Sequence, residues 1–235
     1  MNLSKRFPNK KVKKQKSKVY LFRHGQTEYN KKGIFTGWSE SKLTREGIKH
    51  AKIIAEKLKN KKFQVAIQTS LSRSKDTLKY ILKYHPECKK IITDDKMIER
   101  DYGDLNGTTH EDFIKRIGKR AVDLRIEGDA IENLSPKMRK KLEKELGTTE
   151  YDIIHRGWNT PPPSGESFKM VEKRVKPFIK WLKRYMKKNK VSVAISAHGN
   201  SIRLFRKIVE KTSIPETVKW FIPYDKVFVY DVDEL

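Results

Sequence analysis

The feature that most restricts this chain is a repeated change of period. Short runs that are apolar at nearly every position alternate with longer stretches whose apolar residues recur every three or four positions. The short runs are Val19, Leu21 and Phe22; Val65, Ala66 and Ile67; Lys90 to Thr93; Val191, Val193, Ala194 and Ile195; and Val227, Val229 and Val232. A strand without a polar face must be covered on both sides, and the intervening helical segments are what can cover it. Those segments carry Ile48, Ala51, Ile54, Ala55 and Leu58 behind a capping Thr44, then Leu71, Leu78, Ile81 and Leu82. Further on come Phe168, Val171, Val175, Phe178, Leu182 and Met186, with a kink expected at Pro177, and a last helix from about Asn200 to Lys211. The expectation is an α/β fold of three layers, α/β/α, around a mostly parallel central sheet.

The stretch from Thr108 to Tyr151 differs: it is charged and helical in propensity, with Gly118, Gly128 and Gly147 as breaks. It reads as a helical cap, inserted at about 108–160 into a single domain spanning 18–235. Residues 1–17 read as a basic flexible tail. Residues 1–18 hold eight Lys or Arg, no acid, and too few apolar side chains to offset the entropy of ordering.

The chain has 54 Lys and Arg against 29 Asp and Glu, a formal net charge of +25, so polyanions must be weighed as partners. Outside the tail, most lysines fall on polar faces of amphipathic segments, which is a solvated surface. Nucleic acid is therefore expected only through the basic tail, and a basic nucleic-acid-binding protein on an inactive scaffold stands as the reading from another class. The single cysteine, Cys88, excludes an intrachain disulfide and a cysteine-based zinc cluster, as in a reducing compartment. No apolar run is long enough to span a membrane and the N-terminus lacks an apolar leader, so a cytoplasmic protein with no membrane partner is expected.

Two segments share one plan. VYLFRHG at 19–25 and VAISAHG at 193–199 each run from an apolar strand through His-Gly into a polar turn. Six histidines and twelve glycines in 235 residues place only about 0.3 such pairs by chance, so two at strand ends are informative. Ligands of open α/β sheets bind at the carboxyl ends of strands, where His24 and His198 would share a site. Arg23 precedes His24, and Arg73 follows the second strand, also at a carboxyl end. Two guanidiniums beside two imidazoles make a pocket for a dianion such as phosphate. Gly199, Asn200 and the helix after them would add backbone amides and a positive dipole end.

RHG at 23–25, the TSLSR run ending at Arg73, Glu99, and AHGNSIR at 197–203 together resemble the histidine phosphatase superfamily. Within it, RHGQTEYN at 23–30, FTGW at 35–38, ERDYG at 99–103 and IPYDKVFVYDV at 222–232 look like the bisphosphoglycerate-dependent phosphoglycerate mutases. The resemblance implies a phosphoglycerate mutase-like fold and phosphoryl transfer through a phosphohistidine at His24. It implies that Arg23, Arg73 and His198 hold the phosphoryl oxygens and that Glu99 is the general acid and base. It also implies that Thr27, Asn30, Thr36, Gly37, Arg100, Tyr102, His110, His155 and Arg156 touch substrate. No metal is required by such chemistry, and the cofactor implied is 2,3-bisphosphoglycerate as primer.

The chain departs from the mutases in three places. Asp101 stands where they carry a histidine, His110 where they carry a lysine, and His155 with Arg156 where they carry an arginine pair. Each change lowers the positive charge available to a bisphosphate. The segment before the prolines is longer than in the mutases, and PPPSGES at 161–167 is closer to the phosphatase branch. The expected activity is interconversion of 3- and 2-phosphoglycerate, with a phosphatase acting on small phosphomonoesters as the alternative. The expected partner is a small phosphorylated anion, and a second copy of the chain is a candidate for a homodimer.

Overall fold

The computed structural model describes residues 17–127 and 134–235. The expected basic tail and Gly128 lie outside the described residues, except Ser17, whose carbonyl accepts from the Val232 N–H at 3.0 Å. Five strands form one sheet: β1 (Lys18–Arg23), β2 (Val65–Gln68), β3 (Lys90–Thr93), β4 (Val193–Ala197) and β5 (Val227–Asp231). Their order is β3-β2-β4-β1-β5, parallel throughout except for β5, which runs antiparallel to β1. Central β4 is buried at all five positions, as a strand covered on both faces must be.

Strand alternation sorts the core into two halves. Val19, Leu21, Ile67 and Ile195 face α6 (Phe168–Asn189) and α7 (Gly199–Glu210), meeting Val171, Val175, Phe178, Leu182 and Phe205. Tyr20, Phe22, Ala66 and Ala194 face the other side, against Ile54, Leu58, Leu78 and Ile81 of α2 (Arg45–Leu58) and α3 (Ser72–Leu82). Each fully buried Leu, Ile or Phe contributes about 1.5–3 kcal/mol from burial. The expected three layers are thus present. The Thr44 hydroxyl accepts from the Gly47 N–H at 2.9 Å and starts α2, as its sequence position predicts.

Over the carboxyl ends of the strands lie α4 (His110–Glu127) and α5 (Pro136–Arg156), joined to the sheet layer by a cluster of Phe35, Tyr102, Leu105, Phe113 and Ile154. Here the glycine expectation is corrected. Gly118 and Gly147 lie inside α4 and α5 and break neither helix. A Cβ on Gly118 would sit 1.8 Å from the Glu143 carbonyl oxygen, and one on Gly147 would sit 2.0 Å from that of Ile114. The two glycines are where the helices touch backbone to backbone.

α6 includes Pro177 within its span, and one smaller correction concerns its exit. Val191 belongs to the turn after it, its N–H donating to the Met186 carbonyl, and β4 begins two residues later. Two short helices, α1 (Glu28–Lys31) and α8 (Ile214–Lys219), and two 3-10 turns at Asp95–Met97 and Gly103–Leu105 complete the chain. No described helix is long and apolar enough to cross a membrane.

Candidate active site

Register alone brings the two histidine turns together. Because β1 and β4 are parallel neighbours with Arg23 opposite Ala197, His24 and His198 leave the sheet side by side. The His24 N–H continues the ladder to the Ala197 carbonyl at 3.0 Å, and the two rings lie 4.9 Å apart between centroids. The His24 ring is 2% exposed, and its Nδ1 is 2.7 Å from the Gly25 carbonyl. A carbonyl only accepts, so Nδ1 carries the ring proton and Nε2 keeps its lone pair. Burial, then Arg73 and Arg23, hold the His24 pKa well below the usual histidine value. The same causes, with burial first, depress His198. His198 Nε2 meets the Thr69 hydroxyl at 2.8 Å, and its Nδ1 is buried with no partner among the described residues.

Arg23 donates to the Ile222 carbonyl at 3.0 Å and lays its guanidinium 4.1 Å over the Tyr224 ring, while its Nε is buried with no partner among the described residues. Arg73, at the start of α3, donates to the Ser39 and Gly37 carbonyls at 2.8 and 2.7 Å. Burial lowers its pKa to about 10, which leaves it charged at neutral pH. Gly37 supplies that carbonyl from a turn with φ of 48°, where an added Cβ would lie 2.1 Å from Asn106 Oδ1. Only glycine fits there.

Glu99 approaches from the segment after β3. Its Oε1 accepts from the Arg100 and Asn200 backbone N–H groups at 2.8 and 3.0 Å. Its Oε2 and the Arg23 guanidinium each lie within 3.6 Å of where a Gly199 Cβ would stand. Its carbonyl is held by Trp38 Nε1 at 2.8 Å and by Arg174 at 2.9 Å, and Arg174 also pairs with Glu166.

These groups share a cavity of about 250 Å³. Of the residues expected at the site, Arg23, His24, Asn30, Thr36, Gly37, Arg73, Glu99, Tyr102, His110, His155, Arg156, Gly199 and Asn200 line it. His198 stands against His24 rather than in the wall. Thr27 and Arg100 do not line the cavity. Thr27 caps α1, exchanging hydrogen bonds with Asn30. The Arg100 side chain is fully buried, 4.5 and 4.6 Å from the Tyr102 and Phe168 rings, and donates to the Ile154 and His155 carbonyls.

Sequence reasoning missed Arg203, Gly33, Ile34, Phe35, Phe221, Ile222 and Tyr224 in the lining. Arg203 had a signal in the AHGNSIR run, one helical turn past Asn200, Phe35 in FTGW, and Ile222 and Tyr224 in IPYDKVFVYDV; Phe221 had none. Apart from Arg156, the cap wall is aromatic. Phe35, Tyr102, His110, Tyr151 and His155 form one ring cluster, and His110 Nδ1 meets the Tyr151 hydroxyl at 3.3 Å. Burial, then Arg156 and Arg100, push the His155 pKa down to about 2; burial alone lowers that of His110. Four guanidiniums, Arg23, Arg73, Arg156 and Arg203, line the cavity against one carboxylate. None lies within 4.0 Å of a carboxylate oxygen among the described residues.

The family described as "Histidine phosphatase superfamily (branch 1)" matches residues 19–132 and 132–234. A 2,3-bisphosphoglycerate-dependent phosphoglycerate mutase of Parvibaculum lavamentivorans is 32% identical over 221 residues, covering 92% of this chain and 90% of the relative. Among solved structures, a putative α-ribazole-5′-P phosphatase from Escherichia coli superposes with a TM-score of 0.67 at 18% identity, covering 92% of this chain and 90% of that one. A phosphoglycerate mutase from Bacillus anthracis does so with a TM-score of 0.64 at 20% identity, covering 92% and 88%. The two structures share the fold; their chemistry differs.

Proposed function

This chain belongs to the histidine phosphatase superfamily, branch 1, and from that premise we propose that it is a phosphoglycerate mutase working through phosphorylated His24. One observation carries the reading. Beside a neutral histidine with a free Nε2 stand Arg23 Nε and His198 Nδ1, both buried and without a hydrogen-bond partner among the described residues. A buried polar group left unmatched costs free energy, and a phosphoryl oxygen at His24 would accept from the Arg23 Nε–H.

In the first step the phosphoryl group already on His24 passes to the free hydroxyl of the monophosphate as the bond from Nε2 to phosphorus breaks, and Glu99 takes the proton of that hydroxyl. Arg23, Arg73 and His198 hold the phosphoryl oxygens. In the second step Nε2 of His24 bonds to the phosphorus on the neighbouring oxygen as that phosphorus–oxygen bond breaks, and Glu99 returns the proton to the departing oxygen, leaving His24 phosphorylated for the next turnover. The excess of cations over carboxylate in the cavity fits a ligand with two anionic groups, so 2,3-bisphosphoglycerate fits as primer and would supply the phosphoryl group that charges His24.

One observation favours a phosphatase as the second reading. The wall that includes His110 and His155 is neutral, so it adds no charge to retain a bisphosphate. A coupled enolase assay with and without bisphosphate, run beside hydrolysis of an aryl phosphate, decides between them. We expect bisphosphate-stimulated isomerisation that His24→Ala abolishes. Hydrolysis independent of bisphosphate, with no isomerisation, would overturn the mutase reading and leave the phosphatase.

A further inference from the structure

We propose that the outer face of α6 binds single-stranded nucleic acid, with phosphates along a row of cations and a base in the aromatic hollow at the row's end. The last turns of α6 lead into the start of β4 at Val193, so this hollow lies at the amino ends of the strands, away from the cavity. The proposal therefore does not depend on the reading of the active site, and the face is separate from the basic tail.

The helix carries nine Lys or Arg and one acid, Glu172. Arg174 pairs with Glu166, Lys187 with Asp233, and Lys183 donates to the carbonyls of Asp233 and Leu235. Glu172 itself is taken by Lys207. That leaves Lys169, Lys173, Lys176, Lys180, Arg184 and Lys188, all exposed and none within 4.0 Å of a carboxylate oxygen among the described residues. Each follows the last by three or four positions, so the six share one face over about 28 Å of helix.

Like charges at these spacings repel, and other helices of the chain answer a lysine with an acid one turn away. Lys49 has Glu46, Lys79 has Asp76, and Lys115 has Glu111. On the outer face of α6 no acid does so. A polyanion laid along the row would supply the missing charge and release its own counterions. Successive cations rise about 4.5–6 Å along the axis, a ladder that a flexible phosphate backbone can follow.

What borders the row selects the polyanion. Trp181 and Tyr185, both half-buried, lie ring on ring, 5.2 Å apart at 24°. With Arg184, Lys188 and Asn189 they line a hollow of about 360 Å³. Lys90, on the edge strand β3, holds its ammonium 5.3 Å over the Tyr185 ring. An unpaired base finds there an aromatic surface flanked by cations, the pairing of groups that single strands use. A duplex keeps its bases inside and an anionic lipid surface has none, so neither would use the hollow.

The test is fluorescence anisotropy of a labelled oligouridylate of about 16 nucleotides with the full chain at several salt concentrations. We expect Lys173→Gln, Lys176→Gln, Lys180→Gln and Arg184→Gln together to weaken binding roughly tenfold or more and to flatten the salt slope by about 3, near 0.7 for each phosphate contact. Lys119→Gln, Lys137→Gln, Lys140→Gln and Lys144→Gln remove the same charge from exposed positions of the cap. They should change binding by less than about threefold. On the unaltered protein an abasic strand of equal length should bind about tenfold more weakly, and Trp181→Leu should remove that difference.

Equal losses from the two sets of substitutions would reduce the effect to net charge and overturn the proposal. So would α6 substitutions that weaken binding to a duplex, or to vesicles containing phosphatidylserine, as much as to the strand. An abasic strand bound as tightly as oligouridylate would do the same, with no variant needed. Thermal melts guard against misfolding: removing like charges from one face should hold or raise the Tm. A lower Tm would mean that the row serves the fold, which also overturns the proposal.

Discussion

On the proposed chemistry His24 attacks phosphorus only as the Nδ1–H tautomer, and a single carbonyl, that of Gly25, sets that tautomer. The neutral state has a second consequence, for stability. His24, His110, His155 and His198 are all held below the ordinary histidine value in the fold. In the unfolded chain each titrates near 6.5. Between the two values the unfolded chain binds a proton that the folded one does not, so stability is full above about pH 6.5 and falls as pH drops toward the folded values. Each such ring removes up to about 1.4 kcal/mol per pH unit in that window. Urea unfolding at pH 7.5, 6.5 and 5.5 should show the free energy falling slightly between the first two and more steeply to the third. A flat series would mean that these rings titrate normally. At this scale the sequence was legible where chemistry and position coincide, as at His24, Arg73 and Glu99. It carried Arg203 within AHGNSIR without marking it, because an arginine one turn into a helix looks like any other. Thr27 and Arg100 show the converse: motif positions matched, while a helix cap and a buried stack took the side chains.

Strands and helices were readable wherever one face is buried, because burial imposes a period; all five strands and the helices of both outer layers were found. The cap was legible as helical but not in its joints. A glycine in a helical pattern reads locally as a break, yet Gly118 and Gly147 are required by the crossing of α4 and α5, a tertiary fact. Gly118→Ala or Gly147→Ala must push the two backbones apart, at about 1–3 kcal/mol in stability. Because α5 carries His155 and Arg156 at its end, the displacement should reach the cavity. Thermal melts should show a lower Tm, and steady-state kinetics should show KM rising more than kcat falls. An unchanged Tm would mean that the helices do not approach so closely. The short α1 and α8 were missed, since four and six residues are too few for a period to show.

For the molecule as a whole, the +25 charge acts over distances that no single contact spans. Positive surfaces draw anions toward a cationic cleft, and salt screens that pull. Between about 0.02 and 0.3 M salt, kcat/KM for an anionic substrate should fall roughly three- to tenfold while kcat holds. Rates independent of ionic strength would reduce the excess charge to a solvated surface alone. Sheet order carries a further consequence, for how the chain is made. Val193 of β4 is flanked by Val19 of β1 and Val65 of β2, strands that precede it by more than a hundred residues. During synthesis β1 and β2 leave the ribosome before the strand that joins them, each with an edge of unpaired N–H and C=O groups open to other chains until β4 emerges, and the two histidines first meet at that moment.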